Sequence, residues 1–246
     1  MAKKPLSHRV RPSKSAPATT KAKTGPPGLA GRAARWIAKP KTKGSERRRQ
    51  KIFESAITVG NEIAKTDGLA GLTARRIAKN IGCSVGTLYN VFDSLDTLII
   101  HLNGTTFDAL YEELKKIEAS KDAGTAVRRV VDAYVYFVRE NSNNWSVIFD
   151  HVWPQNYPLP QWYTNKIQRL LTPLADALAP LFPPGQEDKI GQAAILLWSG
   201  LHGIQSLSSD AKLGFITSET AHDLSNAMVG IMVAGIRDQT GKSGSE

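Results

Sequence analysis

The sequence predicts an all-α protein, with an N-terminal three-helix domain containing a helix-turn-helix and a C-terminal helical bundle. Three observations lead there. Apolar residues beyond residue 45 recur at helical spacing, and no alternating strand pattern competes with them. Residues 72–92, LTARRIAKNIGCSVGTLYNVF, read as two short capped helices joined by a tight turn. Small residues recur in the last two periodic segments, at Ala193, Ala194, Gly200, Gly203, Ala227, Gly230 and Ala234, where helices of a bundle approach closely.

The chain divides into residues 1–44, 45–93, 94–238 and 239–246. The first 44 residues hold 12 of the 32 Lys and Arg and no acid, which leaves 20 basic against 22 acidic residues in the remainder. The formal net charge of +10 is therefore a property of this tail. Rich in Pro, Ser and Thr and poor in large apolar residues, the tail cannot bury enough surface to offset its ordering entropy and is expected to be disordered. Within it, Leu29, Ala33, Trp36 and Ile37 form at most a short amphipathic piece, ended by Pro40.

Ser45 is placed to cap a first helix running from Glu46 to about Asp67, with Gly68 ending it. Thr73 caps the next, in which Ile77, Ala78 and Ile81 share a face, and Gly82 follows where a left-handed residue is wanted. Ser84 caps the third helix, with Leu88 and Phe92 as its buried positions. Ala78 matters because two helices crossing at a wide angle need a small side chain at the contact.

Ser94 then caps a long helix carrying Leu98, Leu102, Phe107, Leu110, Leu114 and Ile117. Gly104 lowers its propensity by about 1 kcal/mol relative to Ala. A helix from about Thr125 carries Val127, Val131, Tyr134 and Val138, and stops near Asn141. Trp145, Phe149 and Trp153 follow at i, i+4 and i+8, a single aromatic stripe broken at Pro154. Three more helices are expected over residues 161–178, 186–207 and 218–237, the last with Leu224, Met228, Ile231 and Gly235 on its apolar side.

The single Cys83 excludes an internal disulfide and fits a reducing compartment. The longest apolar stretch, near residues 193–201, is far shorter than the roughly 20 residues a bilayer span needs, so no membrane partner is expected. The five His lie scattered at 8, 101, 151, 202 and 222. With no HExxH, CxxC, phosphate-cradling loop or GxSxG, no recognised metal or nucleophile chemistry is encoded, and no enzyme activity or cofactor is expected.

Residues 46–100 closely resemble the N-terminal domain of tetracycline repressor (TetR) family transcriptional regulators. Leu72-Thr73, Ile77-Ala78, Gly82, Ser84, Gly86-Thr87-Leu88-Tyr89, Phe92, Ser94 and Leu98 carry the resemblance in order and spacing. Further on, Trp198, His202 and Gly203 resemble the Trp and His-Gly signature of one branch of that family. The resemblance implies a bacterial, cytoplasmic homodimer that binds a palindromic double-stranded DNA operator, represses transcription and is released by a small effector.

By the same resemblance the DNA contacts fall on Arg47, Arg48, Thr73, Arg75, Ser84, Val85, Gly86, Thr87, Tyr89 and Asn90. Helix N-termini bring unpaired N–H groups to phosphate, and a guanidinium fork suits guanine. Two basic residues usual in the family are replaced here by Val85 and Leu95, so the tail and the Arg47-Arg48-Arg49-Lys51 cluster are expected to supply the missing charge. For an apolar effector the candidates are Tyr134, Phe137, Trp145, Phe149, Trp153, Trp162, Trp198 and His202. The competing reading is an architectural DNA-binding protein driven by the basic tail, which predicts no palindromic consensus.

Overall fold

The computed structural model describes residues 43–118, 120–154, 157–209 and 212–241. The basic tail up to residue 42, the expected amphipathic piece around Trp36 and the end of the chain from residue 242 lie outside the described residues. Among the described residues the secondary structure is helical, with no strand.

The headpiece is built from α1 (Lys43–Gly71), α2 (Ala74–Asn80) and α3 (Val85–Phe92). The first helix starts at Lys43 rather than after Ser45, so Ser45 sits inside the first turn instead of capping it. Gly68, at φ 59°, breaks its helical geometry where the sequence places the stop. The Thr73 hydroxyl accepts from the Arg76 amide at 3.2 Å, and the Ser84 hydroxyl accepts from the Thr87 amide at 3.1 Å. Between the two caps Gly82 adopts φ 69°. Ile77, Ala78, Leu88 and Phe92 are almost completely buried, and Phe92 stacks on Phe53 with ring centroids 5.0 Å apart.

The body contains α4 (Leu95–Leu114), α5 (Ala123–Glu140), α6 (Ser142–Asp150), α7 (Gln161–Leu178), α8 (Glu187–Ser209) and α9 (Ala221–Thr240). Two cores result. Leu98, Ile99 and Leu102 of α4 complete the headpiece core, while Ile100, Phe107, Leu110 and Leu114 of the same helix enter the larger body core. Gly60 of α1 permits this crossing, because a Cβ there would stand 2.8 Å from the Leu102 side chain. Gly104 has a similar reason: a Cβ would come within 3.0 Å of the Trp162 ring on α7.

Three expectations are corrected. Asp122, not a residue near Thr125, opens α5, its carboxylate accepting from the Thr125 amide at 2.7 Å. The aromatic stripe ends sooner than its spacing suggests, since α6 stops at Asp150 and Trp153 stands in the following loop. The last helix starts at Ala221, where Thr220 and Asp223 form a reciprocal capping box, and its inward row is Ser225, Val229, Val233 and Ile236. Ile231, assigned to the apolar side, is 75% exposed.

Candidate DNA-reading helix and effector cavity

The recognition helix α3 buries Leu88, Val91 and Phe92 and turns its other face outward. Tyr89 is 40% exposed, Gly86 and Asn90 are exposed, and Val85 and Thr87 are half-buried. Thr73, Arg75 and Ser84 are exposed beside them, as are Arg47 and Arg48 on the first turns of α1. Arg76 differs from its neighbour Arg75 because it pairs with Asp67 of α1. Arg49 also turns inward and donates to the Val91 carbonyl at 3.2 Å, tying α1 to the recognition helix.

Within the body lies an apolar cavity of about 290 Å³. Phe149, Trp153 and Trp198 line it, together with Ile100, Phe107 and Tyr163, which the aromatic pattern did not single out. The other expected effector residues stand elsewhere. Phe137 and Trp145 are buried in the body core, where Trp145 packs edge-on against Phe107, Tyr134 and Phe137. Trp162 faces away, stacked 4.6 Å from the His101 ring. His202 stacks on Phe149, at 3.6 Å, and on Trp198, at 5.9 Å, the three rings forming one cluster, and its Nδ1 has no hydrogen-bond partner. Burial lowers its pKa and favours the neutral ring.

The loop after α6, residues 151–160, closes the cavity with His151, Trp153 and Leu159. Periodicity carries no signal for such loop residues; the Pro-rich 154–160 segment was the available clue that the chain turns back here. His151 also reaches out of the cavity. Its Nε2 bonds to Asp96 at 2.9 Å, in the first turn of α4 and only a few residues past α3.

Helix α6 is shared between the two cores. Val147, 1% exposed, belongs to the headpiece core, whereas Trp145 belongs to the body core and Ile148 and Phe149 line the cavity. Asn143 donates to the Lys65 carbonyl at 2.8 Å and Asn144 to the Asn61 carbonyl at 3.2 Å, so two side chains of α6 grip α1. One nine-residue helix therefore joins the cavity wall at Phe149 to the headpiece.

The chain is thus a helix-turn-helix headpiece whose outer face is exposed, joined to a helical body with an apolar cavity. Residues 127–232 match the family model of the tetracyclin repressor-like C-terminal domain. Among solved structures, a protein of unknown function from Rhodococcus sp. RHA1 aligns at a TM-score of 0.60 and 17% identity, covering 75% of this chain and 94% of that one. A transcriptional regulator from the same organism aligns at 0.57 and 18%, covering 74% and 96%. A TetR transcriptional regulator, also from Rhodococcus sp. RHA1, aligns at 0.54 and 18%, covering 76% and 97%. No curated protein matches the sequence. Residues 127–232 thus match a tetracyclin repressor-like C-terminal domain, and the chain shares its fold with these solved structures.

Proposed function

We propose that the protein is a homodimeric repressor that reads a palindromic operator through α3 and releases it when a small apolar effector fills the body cavity. One observation carries the reading: α6 has Val147 in the headpiece core and Phe149 on the cavity wall. An effector that fits only one position of that wall biases the headpiece by its differential affinity, and a few kcal/mol suffices. Tyr89, Asn90 and Gly86 supply contacts to bases and backbone, while Thr73 and Ser84 bring helix N-termini to phosphate.

A two-fold dimer is supported by the outward faces of α8 and α9. Ile195, Leu196 and Leu207 on α8 and Ala227, Ile231 and Ala234 on α9 are exposed, apolar or small, and at helical spacing. Such a face is suited to pairing with its own copy in a four-helix interface.

The test is selection of bound sites from random duplex DNA by the full-length protein, repeated with a panel of apolar small molecules. The expected result is an inverted repeat whose binding at least one apolar compound weakens. Enrichment without a repeat sinks the reading in favour of tail-driven, architectural binding. Repeating the titration with a chain starting at Lys43 assigns the charge: weaker binding to all sequences and a shallower salt dependence are expected without the tail.

A further inference from the structure

The 290 Å³ cavity has two neighbours along the body. A narrow cavity of about 20 Å³ shares Leu170, Leu171 and Trp198 with it, and Tyr134, Leu174 and Leu201 form other parts of that narrower wall. The narrow cavity in turn shares Leu114 and Val130 with an open vestibule of about 410 Å³, where Lys115, Glu118, Ser120 and Asp176 are exposed to the ligand space. The chamber and the vestibule share no lining residue and the narrow cavity adjoins both, so it stands as the constriction between apolar chamber and polar vestibule. A molecule that occupies all three has to be slender where it passes Tyr134.

The charge inside the chamber sets a second requirement. Among the described residues its wall carries no Lys or Arg, and its one ionisable side chain apart from Tyr163 is His151, already bonded to the Asp96 carboxylate. A ligand carboxylate placed there would lose its hydration without a Lys or Arg to pair with, and would compete with Asp96 for the one imidazole. An uncharged chain meets neither cost.

The third requirement comes from Tyr134. The residue is 4% exposed and lines the constriction; Trp145 lies edge-on at 5.7 Å between centroids, its indole N–H directed toward the phenol oxygen, so the Tyr134 O–H proton itself is left without an acceptor. Burial pushes the phenol pKa up, so the group stays a protonated donor. A buried donor left unsatisfied is costly and calls for an acceptor.

Resting on the effector reading above, we propose that the ligand is an uncharged straight-chain acyl compound. Its chain fills the apolar chamber, its carbonyl oxygen accepts from the Tyr134 hydroxyl at the constriction, and the group beyond the carbonyl points to the vestibule.

The probes are methyl decanoate and the decanoate anion, titrated into the full-length protein and followed by Trp fluorescence, since Trp153 and Trp198 line the chamber. The ester is expected to bind at least tenfold more tightly than the anion. Tyr134→Phe removes a single oxygen and keeps the ring in the core, and it is expected to weaken ester binding roughly fivefold to tenfold, the scale of one neutral hydrogen bond. Tyr136→Phe, an exposed residue of α5 that lines none of the three cavities, is the control and leaves ester affinity unchanged. Anion binding equal to or tighter than ester binding, unaltered ester affinity in Tyr134→Phe, or no binding of either probe overturns the acyl assignment. Release of operator DNA is measured separately: an ester that binds through Tyr134 but leaves DNA affinity unchanged upholds the ligand class and removes the effector role.

Discussion

His101 carries the strongest electrostatic consequence at the scale of one residue. Its ring is stacked on Trp162 at 4.6 Å and meets Phe53 and Phe92 edge-on, so the pocket-side helix α7 and the last residue of the recognition helix touch the same imidazole. Burial, with the nearby Lys166 charge adding to it, lowers its pKa from 6.5 to about 4. Between those two values the unfolded chain binds the proton and the folded chain does not, so stability rises with pH across the window and falls on acidification below about 6.5. Thermal melts of the wild type should lose Tm between pH 6.5 and 4, and His101→Phe, which keeps the ring stack without the titrating group, should reduce that slope to the part contributed by His202, whose pKa burial also lowers. The Asp122 and Asp223 carboxylates, held low by their caps to Thr125 and Thr220, act below this window and do not mask it. A wild-type slope that survives undiminished in the variant assigns the titration to another group.

Among the elements, α6 is the one whose role the sequence conceals. Capping residues made α2, α3 and α4 legible, because Thr73, Ser84 and Ser94 act within three residues of their partners, and local chemistry is what a sequence displays. The aromatic stripe of α6 was equally visible, but its meaning was not. Spacing alone cannot separate Trp145, a core residue, from Phe149, on the cavity wall, nor reveal that Val147 crosses into the other core. The rotation of α9 was hidden for a related reason, since its outward face, with Ile231, is apolar too. Val147→Ala removes two methyl-sized groups from a site 1% exposed and is expected to cost about 2 kcal/mol of stability. Its second effect distinguishes coupling from packing. Effector affinity, set by the other face, should stay within about twofold of wild type, while the effector's influence on DNA binding shrinks by several fold; equal losses in both would assign Val147 to packing alone.

For the whole molecule, the proposed dimer makes the two cores and the two apolar faces parts of one device, of which each chain supplies half. The headpiece is gripped by α4 and α6 and braced by the His151–Asp96 bond, so its position follows the body. A single body offers no reason for that position to matter to DNA, because one α3 spans only one half-site. Spacing becomes the regulated quantity only when two headpieces are fixed about one turn of duplex apart, roughly 34 Å. This is why the exposed faces of α8 and α9 bear on function as well as on assembly. Ile231 is 75% exposed in the single chain and is flanked along α9 by Ala227 and Ala234, small enough for a partner helix to approach. Ile231→Glu places like charges near the two-fold axis and is expected to yield monomers in sedimentation, with circular dichroism and Tm close to wild type because the residue makes no part of either core. Binding to a full palindrome should then fall by about a hundredfold or more, while binding to an isolated half-site changes little. A variant that sediments as a dimer, or a monomer that keeps full-palindrome affinity, would place the pairing surface away from α9 and detach the spacing of the headpieces from the control of DNA binding.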